Sequence, residues 1–339
     1  MRNILTSLLV LTVLHSVGQN KNNSSDTSRL DKIKPLFASI DKMFLDHAKK
    51  NHFPAIAYGI VLDGKLVHSN ANGFLNLEKK TQATTSSLFR IASMTKSFTA
   101  MAILKLRDEG KLALDDPAEK HIPEMKDFKY LSVYAPRITI RNLLTMTAGF
   151  PEDNPWGDRQ LNDTDADLVA MLKEGVAFSN NPGEAFEYSN LGYAILGNII
   201  TRVSRMPYAK YIDEQILRPL GMNNTKWEYT EVPTDKLALG YRWEEEQWKT
   251  EPMLHHGAYG AMGGLITSIE DFSKYVSLHL SSYAAAPPPK GPVTQSAIRE
   301  MHRPFLPLLF ADAKQQTVHS VPSCMATPLD LATGRTATA

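Results

Sequence analysis

From Phe89 to Gly110 the apolar positions recur on a helical period: Phe98, Met101, Ala102, Leu104 and Leu106 share one broad face, and Gly110 is a natural stop. The pattern predicts a buried helix over residues 89–110. Upstream, Phe37, Ile40 and Phe44 predict an amphipathic helix from Pro35 to Lys50, with proline tolerated in its first turn. Two apolar runs follow, Ala55 to Leu62 and Lys65 to His68. Asp63-Gly64 between them favours a tight antiparallel hairpin. Asn70 to Ser87 reads as a loop-rich approach to the buried helix.

Beyond Gly110 the pattern is helical and rich in loops. Thr139 is placed to cap a short helix that breaks by Gly149. Three more helices are predicted: Asp165 to Glu174, Asn190 to Val203, and Tyr208 to Leu217. The second of these carries apolar Leu191, Ala194, Ile195, Ile199 and Ile200. Residues 151–165, full of Asp, Asn, Pro and Gly, read as a surface loop walling one side of a cleft, with Trp156 exposed or semi-exposed. Trp227 to Lys249 is strand-like, and no internal repeat occurs. The expected class is α+β, an antiparallel sheet flanked by helices with a mainly helical lobe over 111–225, inside a folded region of 30–305.

Length and charge narrow this picture. A chain of 339 residues makes one large domain or two intimate ones. Its net charge of +1, with the signs mixed, offers no basic stripe for nucleic acid. Cys324 is the only cysteine, which excludes a disulfide framework and a thiolate metal site. Arg2, the apolar run Ile4 to Leu14, and the small residues Ser16-Val17-Gly18 read as an export signal over 1–18, too short for a membrane span. A polar leader over 19–29 follows. The expectation is a secreted or periplasmic protein with no membrane span in its mature form.

The candidate chemistry starts at Ser93 and Lys96. Three residues apart on one helix, a hydroxyl and an amine meet on the same face. The spacing alone is not specific, since Ser39-Ile-Asp-Lys42 repeats it on the amphipathic helix. Tyr188 and Asn190 alternate on an extended loop ahead of a helix and so face one way. A phenol near an ammonium loses its proton more easily, which suits Tyr188 as a base towards the serine. Asn190 both donates and accepts, fitting it to hold the lysine and a substrate carbonyl. No Gly-x-Ser-x-Gly elbow and no His-Glu-x-x-His helix occur.

Several blocks together resemble the serine β-lactamase-like family. They are Phe89-Arg-Ile-Ala-Ser-Met-Thr-Lys96, Gly110 to Pro117, Ile140 to Gly149, Pro182 to Gly192, Pro219-Leu-Gly-Met222 and Gly260-Ala-Met-Gly-Gly-Leu-Ile-Thr-Ser-Ile-Glu-Asp271. That family includes class C β-lactamases, low-molecular-weight penicillin-binding proteins, D-amino-acid peptidases and esterases. The likeness covers roughly residues 30–305 and implies the β-lactamase/transpeptidase-like fold. It also implies that Ser93 is acylated, Lys96 activates it, Tyr188 relays a proton to the leaving group and Asn190 positions substrate. The Ser93 N–H would be one oxyanion donor. Gly263 and Gly264 belong to the Gly-Gly block on the cleft rim, and Trp156 and Tyr259 are candidates to line the pocket. The substrate would be a small molecule or peptide; no cofactor or metal is expected.

The likeness fails in one place. The family's late basic-Ser/Thr-Gly tripeptide has no counterpart: His255-His256-Gly257 comes before the Gly-Gly block, and Ala332-Thr333-Gly334 has alanine for the basic residue. Without that group, carboxylate-bearing substrates fit less well than esters or peptides. Residues 306–339 show neither strand alternation nor a continuous apolar helical face, and read as a shifted frame or truncation that leaves the sheet without its late strands. The reading is a secreted serine hydrolase acting on ester, amide or β-lactam. The alternative is a catalytically incomplete member that binds cell-wall peptide or a protein partner.

Overall fold

A computed structural model of the chain describes residues 29–154, 156–284, 291–305, 308–311 and 318–321. The expected export signal, most of the leader and the Ala332-Thr333-Gly334 tripeptide lie outside the described residues. The described chain starts in a helical turn, α1 (29–33), followed by α2 (Phe37–Lys50). On α2 both Ser39 and Lys42 are exposed, and the lysine pairs with Asp46, so this Ser-x-x-Lys builds no site.

Strands β1 (Ala55–Leu62) and β2 (Lys65–Asn76) form the expected hairpin; Asp63 and Gly64 at its corner both have positive φ. β2 is longer than its sequence suggests, for the pairing Ala55↔Gly73 carries it through Asn70 and Asn72. Asparagine and glycine are poor strand formers, so this part of the ladder comes from its partner rather than from local preference. A short β3 (Thr81–Gln82) completes a three-stranded antiparallel sheet. Alternate residues of β1 face opposite ways. The Tyr58 ring stacks on Phe44 of α2 at 4.0 Å, while the ideal Cβ position of the next residue, Gly59, lies 3.1 Å from Ile269 of α10 (Ile269–Ser281). The sheet therefore sits between α2 and α10.

The second half of the molecule is a helical core around α3 (Thr95–Asp108) and α7 (Asn190–Ser204). α3 is buried from Thr95 through Leu104 and again at Leu106; α7 is buried from Asn190 through Ile200. Against this pair pack α4 (Ile140–Leu144), α5 (Trp156–Arg159), α8 (Tyr208–Ile212) and α9 (Gly260–Gly263), with α11 (Gln295–Met301) behind α3 and α6 (Asp165–Glu174) against the Pro123–Met125 turn. Thr139 and Thr164 each close a capping box, and Gly110 leaves α3 with φ +71°. Strands β5 (Gly240–Glu244) and β6 (Gln247–Glu251) form a hairpin with Trp243 opposite Trp248.

Two expectations change. The helix does not begin at Phe89: Phe89–Arg90 is β4, paired with β7 (Ile266–Thr267), and a 3-10 turn over Ala92–Met94 precedes α3. The ladder continues as Ile91 N–H donates to Leu265 O at 2.9 Å, which holds the backbone extended and delays the helix. The tail is not without strands either. β8 (Leu308–Ala311) and β9 (Val318–Val321) form an antiparallel pair, joined to each other and, among the described residues, to no other strand. Short runs rich in leucine, phenylalanine and valine need no strict alternation to make a two-stranded ladder.

Candidate active site

The site is assembled where β4 turns into α3. Ala92 takes φ +46°, a left-handed conformation that costs a residue with a side chain of the order of 1 kcal/mol. That kink lifts Ser93 half-clear of the core, whereas Lys96, one turn on, is fully buried. Lys96 Nζ lies 3.1 Å from Ser93 Oγ, 2.7 Å from Asn190 Oδ1 and 3.0 Å from the carbonyl oxygen of Met262. The rings of Tyr188 and Tyr193 flank the nitrogen at 4.8 and 5.6 Å. Tyr188 OH is 2.5 Å from Ser93 Oγ. The four residues singled out in the sequence thus meet at one point, from the entry of α3 and the start of α7.

Burial shifts the two groups in opposite directions. Desolvation pulls the Lys96 ammonium down to about 7, against the opposing pull of Asp158 and Asp153. Tyr188 moves the other way: burial pushes its phenol up to about 12, and the carboxylates of Asp158, Asp153 and Glu152 add to the rise. That direction runs against the expected phenolate base. Sequence supplied the nearby ammonium, but the ring is buried and the amine beside it is more easily neutral than a free lysine. The hydrogen bonds agree. Two of the lysine's three partners are carbonyl oxygens, which only accept. A neutral amine gives its two hydrogens to these and keeps its lone pair for the Ser93 hydroxyl. Tyr188 stays protonated and donates to Ser93 Oγ.

Asn190 holds the lysine with its oxygen, while its Nδ2 is buried with no partner among the described residues. The ideal Cβ position at Gly157 lies 2.8 Å from that nitrogen, so α5 covers it, and in this conformation the amide grips Lys96 rather than facing the cleft. The residue that places α7 here is Asp153, which sequence reasoning passed over inside a polar loop. Its two carboxylate oxygens accept the N–H groups of Asn190 and Leu191 at 2.7 Å each, capping the helix from a distant segment. Nothing local in the sequence marks it.

The Gly-Gly block supplies the opposite wall. Thr99 Oγ1 donates to Ala261 O at 2.7 Å, and with the Lys96–Met262 bond this fastens α9 to α3. Gly263 faces the backbone of Ala92, its ideal Cβ position at 3.7 Å, beside the serine turn; Gly264 packs on Gly260 and His256. At Gly260 a Cβ would fall 2.1 Å from Tyr208 OH, so only glycine fits there. Tyr259 is not on the open cleft: it is buried in the core, its hydroxyl 3.9 Å from Met171 Sδ. Trp156 is 47 % exposed and meets the Tyr259 ring edge-on at 6.2 Å. His255 is exposed with its Nδ1 2.9 Å from Glu228 Oε1, and His256 packs against Tyr208 and Trp227. Among the described residues no group of three His, Cys, Asp or Glu is placed to hold a metal ion.

The serine at a strand-to-helix corner, with a buried amine and a phenol converging on it, is carried on a β-lactamase/transpeptidase-like fold. The chain belongs to the Beta-lactamase family, whose profile matches residues 40–306. Protein flp of Staphylococcus aureus (strain N315) is 34 % identical over 269 residues, 78 % of this chain and 51 % of that protein. Beta-lactamase-like protein 2 of Dictyostelium discoideum is 30 % identical over 254 residues, 72 % of this chain and 46 % of that one. The chain spans about half the length of the curated relatives it matches. Among solved structures, an octameric penicillin-binding protein homologue from Pyrococcus abyssi superposes with a TM-score of 0.68 at 30 % identity, covering 80 % of this chain and 61 % of that one. A class C beta-lactamase gives 0.64 at 22 % identity, covering 79 % and 70 %, a likeness of fold alone.

Proposed function

We propose that this protein is an exported serine hydrolase that acts on ester, amide or β-lactam substrates through an acyl-Ser93 intermediate. The observation that carries the reading is the buried lysine, held by two carbonyl acceptors with its Nζ 3.1 Å from Ser93 Oγ. Ser93 gives its hydroxyl proton to Lys96 Nζ as Oγ bonds to the acyl carbon. The leaving oxygen or nitrogen takes its proton from Tyr188 as the old bond breaks, and the proton held on Lys96 Nζ then restores the Tyr188 phenol, so the net transfer is from serine to leaving group. The N–H of Ser93, ahead of the α3 N-terminus, favours the developing oxyanion. Water then cleaves the acyl ester, releasing the acid and restoring the serine.

Export is supported by the apolar run Ile4 to Leu14 with its small-residue end. Among the described residues no helix is long and apolar enough to cross a membrane. The test is covalent labelling. A fluorescent penicillin or a fluorophosphonate should add one adduct to the wild type, seen by intact mass, and none to Ser93→Ala. Absence of labelling by both reagents would replace the hydrolase reading with that of a binder of cell-wall peptide or protein. Turnover of nitrocefin beside a short-chain p-nitrophenyl ester then separates lactamase from esterase.

A further inference from the structure

Between the short 3-10 turn at Pro123–Met125 and α4, the chain leaves the helical core in a closed loop. Its neck is stapled by Arg137, whose guanidinium donates to the Lys126 carbonyl at 3.1 Å and lies 5.8 Å from the Tyr130 ring. Its tip is an ordered β-turn. Ala135 N–H donates to Ser132 O at 3.1 Å, and Tyr134 N–H to Ser132 Oγ at 3.1 Å. The two corner residues of that turn are Val133 and Tyr134, exposed to 94 % and 93 %, with Leu131 beside them at 58 %. Turn corners ordinarily take Asn, Asp, Gly or Ser. Here a rigid scaffold holds two large apolar groups almost wholly in water.

The charges around the tip have one sign in excess. Lys126 and Lys129 stand against the carboxylate of Asp127, while Arg137 and Glu119 offset each other at 3.5 Å. Neither Lys126 nor Lys129 has an ion-pair partner among the described residues. The patch is too small for a stable contact with a second copy. Three such side chains offer roughly 400 Å², about half of what one partner contributes to a standard protein interface. A lipid headgroup layer needs no matching surface: it takes up a protruding valine, leucine and tyrosine, and it attracts nearby lysine and arginine when anionic.

We propose that the Ser132–Ala135 turn is a membrane-surface contact, which seats Leu131, Val133 and Tyr134 among the headgroups of an anionic bilayer while Lys126 and Lys129 face lipid phosphates. The sequence gives no amphipathic stripe for this, because the apolar tip is only four residues long and is organised by its turn. The inference does not depend on the reaction at Ser93.

The experiment is vesicle co-sedimentation of the full chain with liposomes of equal parts phosphatidylglycerol and phosphatidylcholine, and of phosphatidylcholine alone. Wild type should bind the anionic vesicles, and raised salt should weaken that binding. Val133→Asp with Tyr134→Asp should reduce it by about tenfold or more, with thermal stability and ester turnover in solution unchanged. Lys129→Gln with Lys126→Gln should reduce binding to anionic vesicles without altering that to neutral ones. No sedimentation with anionic vesicles overturns the proposal, as does equal binding by the double aspartate variant. It also fails if that variant instead dissolves an oligomer seen by light scattering, which would make the tip a contact between copies.

Discussion

Lys96 has three polar neighbours and, when neutral, two hydrogens to give. On the proposed reaction this asymmetry makes it the base, and it sets the pH behaviour. With the amine held down to about 7 and the Tyr188 phenol up to about 12, kcat/KM should rise through pH about 7 and stay level well into alkaline solution. A rate that instead climbs only towards the ordinary phenol range would return the base to Tyr188. Replacing Tyr188 by phenylalanine removes the proton donor but leaves the lysine in place, so kcat should drop by about 10²–10⁴-fold with the acid limb unmoved. Asp153 acts through others. Its charge opposes the desolvation of Lys96, so Asp153→Asn should shift the acid limb to lower pH, because the amine then sheds its proton more readily. Facing the same nitrogen are Asp158, Tyr188 and Tyr193, all unchanged in that variant. Asp153→Ala should in addition lose the α7 cap, roughly 1 kcal/mol by thermal denaturation. A melting change with an unmoved pH profile would make Asp153 a cap and nothing more.

At the scale of elements, the site is a matter of close approach. α5 lies against the start of α7 because residue 157 is glycine: a Cβ there would stand 2.5 Å from Asn190 Cβ, an atom that no side-chain rotation can move aside. Gly157→Ala should therefore push α5 off Asn190, costing about 1–3 kcal/mol. The rate of labelling at Ser93 should fall with it; a variant as stable and as reactive as wild type would show that the two helices slide freely. Such contacts also mark where reading the sequence stops. The Asp63-Gly64 hairpin, the Thr139 cap and the helix Asp165–Glu174 were legible because each is written within a few neighbouring residues. Ser93, Lys96, Tyr188 and Asn190 were legible by spacing and by likeness to a family. The strand at Phe89–Arg90 was not, since its partner lies at Ile266–Thr267, and the Asp153 latch spans 37 residues to Asn190. The direction of the Tyr188 shift depends on burial, which no local pattern states.

The whole molecule is built from two unequal halves. Around α3 and α7 the core is continuous, from Phe98 and Met101 through Tyr193 and Ile199 to Ile216 and Met301. In the sheet half only Tyr58 of β1 and Leu75 of β2 are buried, and α2 buries only Ala48. What joins α2 to the sheet there is largely polar and aromatic: Tyr58 OH and His68 Nε2 both bond Asp41 Oδ1, at 2.7 and 2.6 Å, and Phe37 stacks on His68. Among the described strands the outer edge of β1 is unpaired. Burial of apolar surface dominates cooperative stability, so the two halves should not open together. Native-state hydrogen exchange read by mass spectrometry should find the amides of α3 and α7 exchanging only through global unfolding. Those of β1, β2 and α2 should exchange sooner, through an opening that leaves the helical core intact, and denaturant should affect them less. Ser93 stands at the joint: its own helix belongs to the stable half, while the β4–β7 ladder that shapes its turn adjoins the weaker one through the bond from Leu239 N–H to Leu75 O and the Leu88–Leu237 bridge. Uniform protection across both halves would mean that the sheet draws its stability from the core despite its exposed faces.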